Sequence, residues 1–200
     1  MSRILVLYGT TDGHTAKVAH FLETELHRAG LAVDVVAAGD GPLDPYPDNY
    51  AAVIVAASVH FQGYQRAVRR WLRQHAEALN ARPSAFVSVC LGVLEQRPEV
   101  DRELHRIMES LFIETEWWPR LTQVVAGALP FRRYGWLKRV VMRRIARKAG
   151  VDADSSQDRE FTDWDDVGAF VGRFIELVQG RSKRPSAIGM STAALSKTSF

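Results

Sequence analysis

The stretch that most constrains this chain is Gly9-Thr10-Thr11-Asp12-Gly13-His14-Thr15. It follows the apolar run Ile4-Leu5-Val6-Leu7-Tyr8 without a spacer. It then opens into a helical pattern with Thr15, Val18, Ala19, Leu22, Leu26 and Ala29 on one face. A buried strand, a hydroxyl-rich turn and a helix start together form an anion site. The first backbone N–H groups of a helix have no internal partner, and the macrodipole favours negative charge there. Gly9 and Gly13 let the backbone approach closely or take positive φ. The loop holds no Lys or Arg, so neutral dipoles would bind a phosphate and Asp12 would have to point away from it. The spacing is neither GxGxxG nor GxxxxGK[ST], which argues against a Rossmann dinucleotide loop and a P-loop NTPase. The same residues also suit an ordinary strand-to-helix turn capped by Thr and Asp, and the loop alone does not choose between the two.

The rest of the chain alternates strand and helix signals. Apolar runs at Leu31–Ala37, Tyr50–Ala57, Ala85–Cys90 and Leu121–Gly127 read as four further strands. Gly30 suits the end of the first helix, and Pro42, Pro45, Pro47 and Gly41 break the chain before the third strand. Ala67, Val68, Trp71, Leu72 and Leu79 mark a second helix that stops before Pro83, and Leu104, Ile107, Met108, Leu111 and Phe112 mark a third. Thr162-Asp163-Trp164-Asp165 has the S/T-x-x-[DE] form of a capping box. It opens a last helix that buries Trp164, Val167, Val171, Phe174 and Val178 and stops near Gly180. Two hundred residues that are 46% hydrophobic can enclose one core. One domain over residues 1–180 is therefore expected, followed by a Ser/Ala/Lys-rich tail at 181–200 that reads as disordered. The single cysteine, Cys90, provides no internal disulfide and fits a reducing compartment. No signal peptide or spanning segment is read from the sequence.

Strands alternating with helices predict an α/β fold with a five-stranded parallel sheet, order 2-1-3-4-5, helices on both faces, and a basic helical insertion before the last helix. In such a flavodoxin-like sheet, ligands sit at the carboxyl ends of the strands, where the order reverses. The loops at Thr10–Thr15, Ser58–Tyr64 and Leu91–Pro98 then converge, with a phosphate on the first and a flat ring between the other two. Ser58-Val59-His60-Phe61-Gln62-Gly63-Tyr64 offers an isoalloxazine the aromatic faces of Phe61 and Tyr64 and amides freed by Gly63. His60 is either a hydrogen-bond partner for the ring edge or a substrate carboxylate, or a solvated loop histidine. Cys90, at a strand end, is read as a small buried apolar residue rather than a redox thiol.

A second informative stretch is Phe131–Lys148. It carries Arg132, Arg133, Lys138, Arg139, Arg143, Arg144, Arg147 and Lys148 and no acid. Removing those eight charges from the net +3 leaves −5 elsewhere, so the basicity is local and the pI near 9.2 comes from this segment. On a helix beginning near Tyr134, Leu137, Val140, Val141 and Ile145 share one side, with Phe131, Tyr134 and Trp136 at its entry. An interfacial membrane helix, a helix packed on the sheet and a nucleic-acid patch all fit this pattern. A flavin site that must reach a lipid-soluble acceptor favours an anionic membrane surface over nucleic acid.

The chain resembles the quinone-dependent protoporphyrinogen IX dehydrogenases of bacterial haem synthesis. The resemblance lies in Thr10–Thr15, Ala57-Ser58-Val59-His60-Phe61, Pro83-Ser84-Ala85-Phe86, Ala126-Gly127-Ala128-Leu129 with the basic aromatic segment after it, and Phe161-Thr162-Asp163-Trp164. It runs in order from about Ile4 to Val178. It implies bound FMN and six-electron oxidation of protoporphyrinogen IX to protoporphyrin IX, with menaquinone or ubiquinone as acceptor. It also implies a cytoplasmic protein held peripherally on the inner face of the cell membrane. Thr10, Thr11, Asp12, Gly13, His14, Thr15, Ser58, Val59, His60, Phe61, Cys90, Leu91 and Gly92 are the expected cofactor contacts, and His60 is the one candidate proton relay. No metal is expected, and the oligomeric state stays open. Two departures stand out. The loop after the fourth strand, Lys- and Arg-rich in the family, has only Arg97 beside Glu95 and Glu99 here, and His60 stands where Arg is expected. The alternative reading is a flavodoxin-type electron carrier with no substrate of its own.

Overall fold

The computed structural model describes residues 3–39, 45–59, 63–90, 98–129 and 159–180. His60, Phe61, Leu91, Gly92, the segment Phe131–Lys148 and the 181–200 tail lie outside the described residues.

Five parallel strands form the sheet: β1 (Arg3–Gly9), β2 (Ala32–Ala37), β3 (Ala52–Ser58), β4 (Ser84–Cys90) and β5 (Leu121–Ala126). Their order is β2-β1-β3-β4-β5, as the alternation predicts. Between them run α1 (His14–Arg28), α2 (Arg66–Asn80) and α3 (Pro98–Thr115), and α4 (Trp164–Val178) follows. Residues alternate across each strand, so one strand feeds two cores. Ile4 and Val6 of β1 pack with α1 and α4 through Val18, Leu22, Leu26, Phe170 and Phe174. Leu5 and Leu7 pack on the other face with Val68, Trp71 and Leu72 of α2 and with Leu111 and Phe112 of α3. Phe86 centres this second core, meeting Tyr64, Phe112 and Trp117 edge-on at 5.1, 5.6 and 5.9 Å. Each such pair adds about 0.5–1.5 kcal/mol beyond its buried area.

The ends of the elements have local causes. Gly30, at φ 79°, follows α1. Its N–H reaches His27 O and that of Leu31 reaches Leu26 O, a Schellman closure that satisfies the last carbonyls. Ala29 is therefore the exposed cap rather than part of the buried stripe, which is a correction to the sequence reading. The expected capping box is also displaced by one residue. Asp163, not Thr162, caps α4, its carboxylate accepting from the N–H groups of Asp165 and Asp166. Thr162 is committed elsewhere, as described below. Beyond β5, Gly127 leads into a two-residue strand β6 (Ala128–Leu129), which pairs antiparallel with β7 (Arg159–Glu160). Strands this short carry no alternation pattern, so the sequence shows no sign of this ribbon. The ribbon brings the two ends of the basic insertion together. Among the described residues no helix is long and apolar enough to cross a membrane.

Candidate flavin site

The opening loop leaves Gly9, the last residue of β1, at the carboxyl edge of the sheet beside β3. A Cβ at Gly9 would lie 2.4 Å from Val68 Cγ2 and 2.9 Å from Gln65 Oε1, so only glycine lets α2 come this close. Gly13 caps α1 at φ 90°, a left-handed conformation, and has no side chain to bond to the first turn. The opening N–H groups of a helix have no intrahelical acceptor, which suits this end of α1 to an anion. Thr10 Oγ1 accepts from Gly13 N at 2.9 Å, which shapes the turn and leaves the threonine proton to donate.

Thr15 is 1% exposed, and its Oγ1 has no hydrogen-bond partner among the described residues. An unpaired buried hydroxyl costs about 1–3 kcal/mol. Such a group in the first turn of a helix fits an anionic ligand. Thr11 is exposed and Asp12 half-buried. Thr11 Oγ1 and Ser58 Oγ, on two different loops, both accept from Gln65 Nε2, at 3.2 and 2.7 Å. Gln65 precedes α2 and ties the first loop to the end of β3. The sequence reading overlooked it, because a lone glutamine before a helix has no motif.

His14 starts α1 half-buried, and its Nε2 lies 2.7 Å from Thr162 Oγ1. The Thr162 hydroxyl donates to Ala126 O at 2.7 Å, so its oxygen accepts from His14 and the imidazole carries its proton on Nε2. Burial lowers the His14 pKa below its ordinary value. The Glu160 carboxylate opposes that shift and the Lys17 ammonium adds to it. Lys17 is paired with Glu160 and lies 5.4 Å from the centroid of the Trp164 ring. Burial alone would raise the Glu160 carboxyl, but hydrogen bonds from Lys17 and Trp164, with the Lys17 charge, bring it below its ordinary value. This group joins the phosphate-type loop to the β6–β7 ribbon. Thr162, Glu160 and Lys17 were not foreseen as site residues, since the contact spans most of the chain.

Ser58 and Val59 end β3, and Val59 N bonds to Val89 O at 3.0 Å. Cys90 ends β4 half-buried, in register with Ala126. Both strand ends thus reach the same edge as Thr10–Thr15. Tyr64 does not supply a ring face, contrary to the sequence reading. It is 6% exposed, edge-on to Phe86, with its hydroxyl 2.9 Å from Ser88 Oγ, and burial drives its phenol well above the ordinary range. Among the described residues no His/Cys/Asp/Glu group could hold a metal ion.

Comparison with known proteins agrees with this fold. The flavodoxin domain family model matches residues 5–156. The protoporphyrinogen IX dehydrogenase (quinone) of Escherichia coli K12 is 31% identical over 176 residues, covering 88% of this chain and 96% of that one. The protein of the same name from Leishmania major is 32% identical over 187 residues, covering 92% and 80%. Among solved structures, oxidised Flavodoxin 1 from Bacillus cereus superposes with a TM-score of 0.53 at 12% identity, covering 88% of this chain and 98% of that chain. A flavodoxin from Streptococcus pneumonia TIGR4 gives 0.53 at 11%, covering 90% and 100%. These two likenesses concern the fold alone.

Proposed function

Because the chain belongs to the flavodoxin domain family and, within it, to the protoporphyrinogen IX dehydrogenases (quinone), which are oxidoreductases, we propose that it binds FMN and oxidises protoporphyrinogen IX to protoporphyrin IX with a membrane quinone as acceptor. The observation that carries this reading is the match along 88% of the chain and 96% of the relative.

The residues present suit the cofactor. The N–H groups at the Gly13-capped start of α1, the Thr10 hydroxyl and the unpartnered Thr15 hydroxyl would hold the phosphate. Gln65 would keep Thr11 and Ser58 in place around it. The amide and side chain of Ser58, with Val59, His60, Phe61, Cys90, Leu91 and Gly92, would border the ring. FMN, when bound, supplies a two-electron acceptor that takes hydride, so no protein nucleophile is required. The protein's share is to hold the tetrapyrrole edge against the ring and to take up protons, with His60 the candidate relay. The overall change removes six electrons and six protons from the porphyrinogen and turns three quinones into three quinols. Such an enzyme would serve haem biosynthesis, held peripherally on the cytoplasmic face of the membrane that carries its quinone.

The test is an anaerobic assay of FMN-loaded protein with protoporphyrinogen IX and menaquinone. Porphyrin fluorescence should rise with three quinols formed per porphyrin. Bound FMN with no quinone-dependent porphyrin formation would overturn the enzyme reading in favour of an electron carrier.

A further inference from the structure

The start of α2 carries arginines at positions 66, 69, 70 and 73, the i, i+3, i+4, i+7 spacing that puts them on one helix face. They line a cleft of about 720 Å³, together with Ala67. From Arg66 to Arg73 the helix rises about 10 Å. Glu114 of α3 closes one side, pairing with both Arg69 and Arg73, one carboxylate against two guanidiniums. Arg70 reaches Gly39 O at 3.1 Å on the other side. Arg66 is exposed and has no hydrogen-bond or ion-pair partner among the described residues. It directly follows Gln65, whose amide bonds to Thr11 and Ser58 of the flavin loops. The upper end of the cleft therefore adjoins the edge where the flavin would lie.

We propose that this arginine-lined cleft binds the carboxylates of the tetrapyrrole, so that Arg66 and Arg70 orient the macrocycle toward the flavin; the proposal rests on the functional reading above. Arginine is the side chain suited to this task. Its planar fork grips a carboxylate with two parallel N–H···O bonds, and it stays charged at every working pH. Protoporphyrinogen carries two propionates on one side of the ring, and a row of guanidiniums accepts a pair of carboxylates where a single cation could not. The concave shape favours a small dianion over a flat lipid surface. The placement also accounts for the acid-bearing loop at Leu91–Val100. With cations on α2, the loop after β4 need not supply them.

The experiment compares Arg66→Gln/Arg70→Gln with the parent, both FMN-loaded, titrated with protoporphyrin IX and with its dimethyl ester. Arg102→Gln/Arg106→Gln on α3 is the charge-matched control. Protoporphyrin binding should weaken about ten- to a hundredfold in the α2 variant and stay unchanged in the control. The parent should bind the ester about as weakly as the α2 variant binds the free acid. Equal affinity of parent and α2 variant for protoporphyrin overturns the proposal, as does a parent that prefers the ester. So does a variant that loses anionic-vesicle binding but keeps the porphyrin. If carboxylate-dependent binding holds but the parent fails to oxidise protoporphyrinogen, the enzyme reading falls and the carboxylate site stands.

Discussion

His14 Nε2 and Thr162 Oγ1 sit 2.7 Å apart although 148 residues separate them in the chain. The bond closes a circuit from the flavin-loop helix through Ala126 at the end of β5, with the Lys17–Glu160 pair alongside it. The β6–β7 ribbon is thereby tied to the first turn of α1.

Burial of the same imidazole sets a pH dependence. The folded state lowers the His14 pKa below its ordinary value of about 6.5. Between the lowered value and the ordinary one the unfolded chain binds more protons, so stability increases with pH across that window. His14 therefore contributes fully above about pH 6.5, and the contribution is lost as pH falls through the lowered folded value. Urea unfolding of the parent should weaken over this range, whereas His14→Gln should give a flatter profile. Parallel profiles would mean that His14 titrates alike in both states. Nitrogen NMR of the imidazole near neutral pH should find the proton on Nε2.

The unpartnered Thr15 hydroxyl separates ligand binding from folding. Thr15→Val keeps the shape and removes a buried group that has no protein partner. Flavin-free protein should be as stable as the parent, or more stable by about 1 kcal/mol. FMN affinity should drop about ten- to a hundredfold, the loss of one charge-assisted bond of about 1.5–3 kcal/mol. Urea midpoints and flavin-fluorescence titration check the two halves. A variant that loses stability while binding FMN normally would place the hydroxyl in the core rather than in the site.

Gly9→Ala tests the close approach of α2. Its Cβ would meet Val68 Cγ2 at 2.4 Å, and Gln65 Oε1 at 2.9 Å would also have to shift. Overpacking of this kind costs about 1–3 kcal/mol. The displaced Gln65 should also release Thr11 and Ser58. Both the thermal midpoint and FMN affinity are expected to fall, and Gln65→Ala should lower affinity with a smaller effect on stability.

Much of this was legible from local pattern. Ile4–Tyr8 and Ala52–Ala57 are uniform apolar runs because both faces of a central parallel strand are buried, and Gly30 marks a helix end because αL backbone needs it. What escaped depends on partners distant in sequence. Thr162 looks like a helix cap, yet its hydroxyl serves Ala126 and His14, and the neighbouring Asp163 takes over the capping. Tyr64 looks like a loop aromatic, but Ser88 on β4 draws its hydroxyl into the core. Gln65 became meaningful only when β3 and the first loop were brought together. No local periodicity encodes such pairings.

The basic segment Phe131–Lys148 supplies the last prediction. Its stems are the β6–β7 ribbon, where Ala128 faces Glu160 and Leu129 faces Arg159. Phe161 N bonds to Gly127 O at 3.3 Å, and Gly127 N to Cys90 O at 3.4 Å, so the ribbon is rooted at the carboxyl edge of β4 and β5. The described chain thus stops at Leu129 and resumes at Arg159 on the edge that carries Thr10–Thr15 and the ends of β3 and β4. A membrane surface engaged by these cations would lie on the side of the molecule where a quinone must arrive. Each Lys or Arg near an anionic leaflet contributes about 1 kcal/mol, and Trp136, Leu137 and Val141 would add apolar insertion. Replacing Arg139, Arg143, Arg144 and Arg147 together by Gln should abolish cosedimentation with phosphatidylserine-containing vesicles. Binding of the parent should weaken as salt rises, since screening at 0.1 M acts beyond about 10 Å. FMN content should be unchanged, and turnover with menaquinone in vesicles should fall while turnover with a water-soluble quinone persists. Vesicle binding equal to the parent's would remove the segment from membrane attachment. Equal loss with both quinones would assign it to the active site instead.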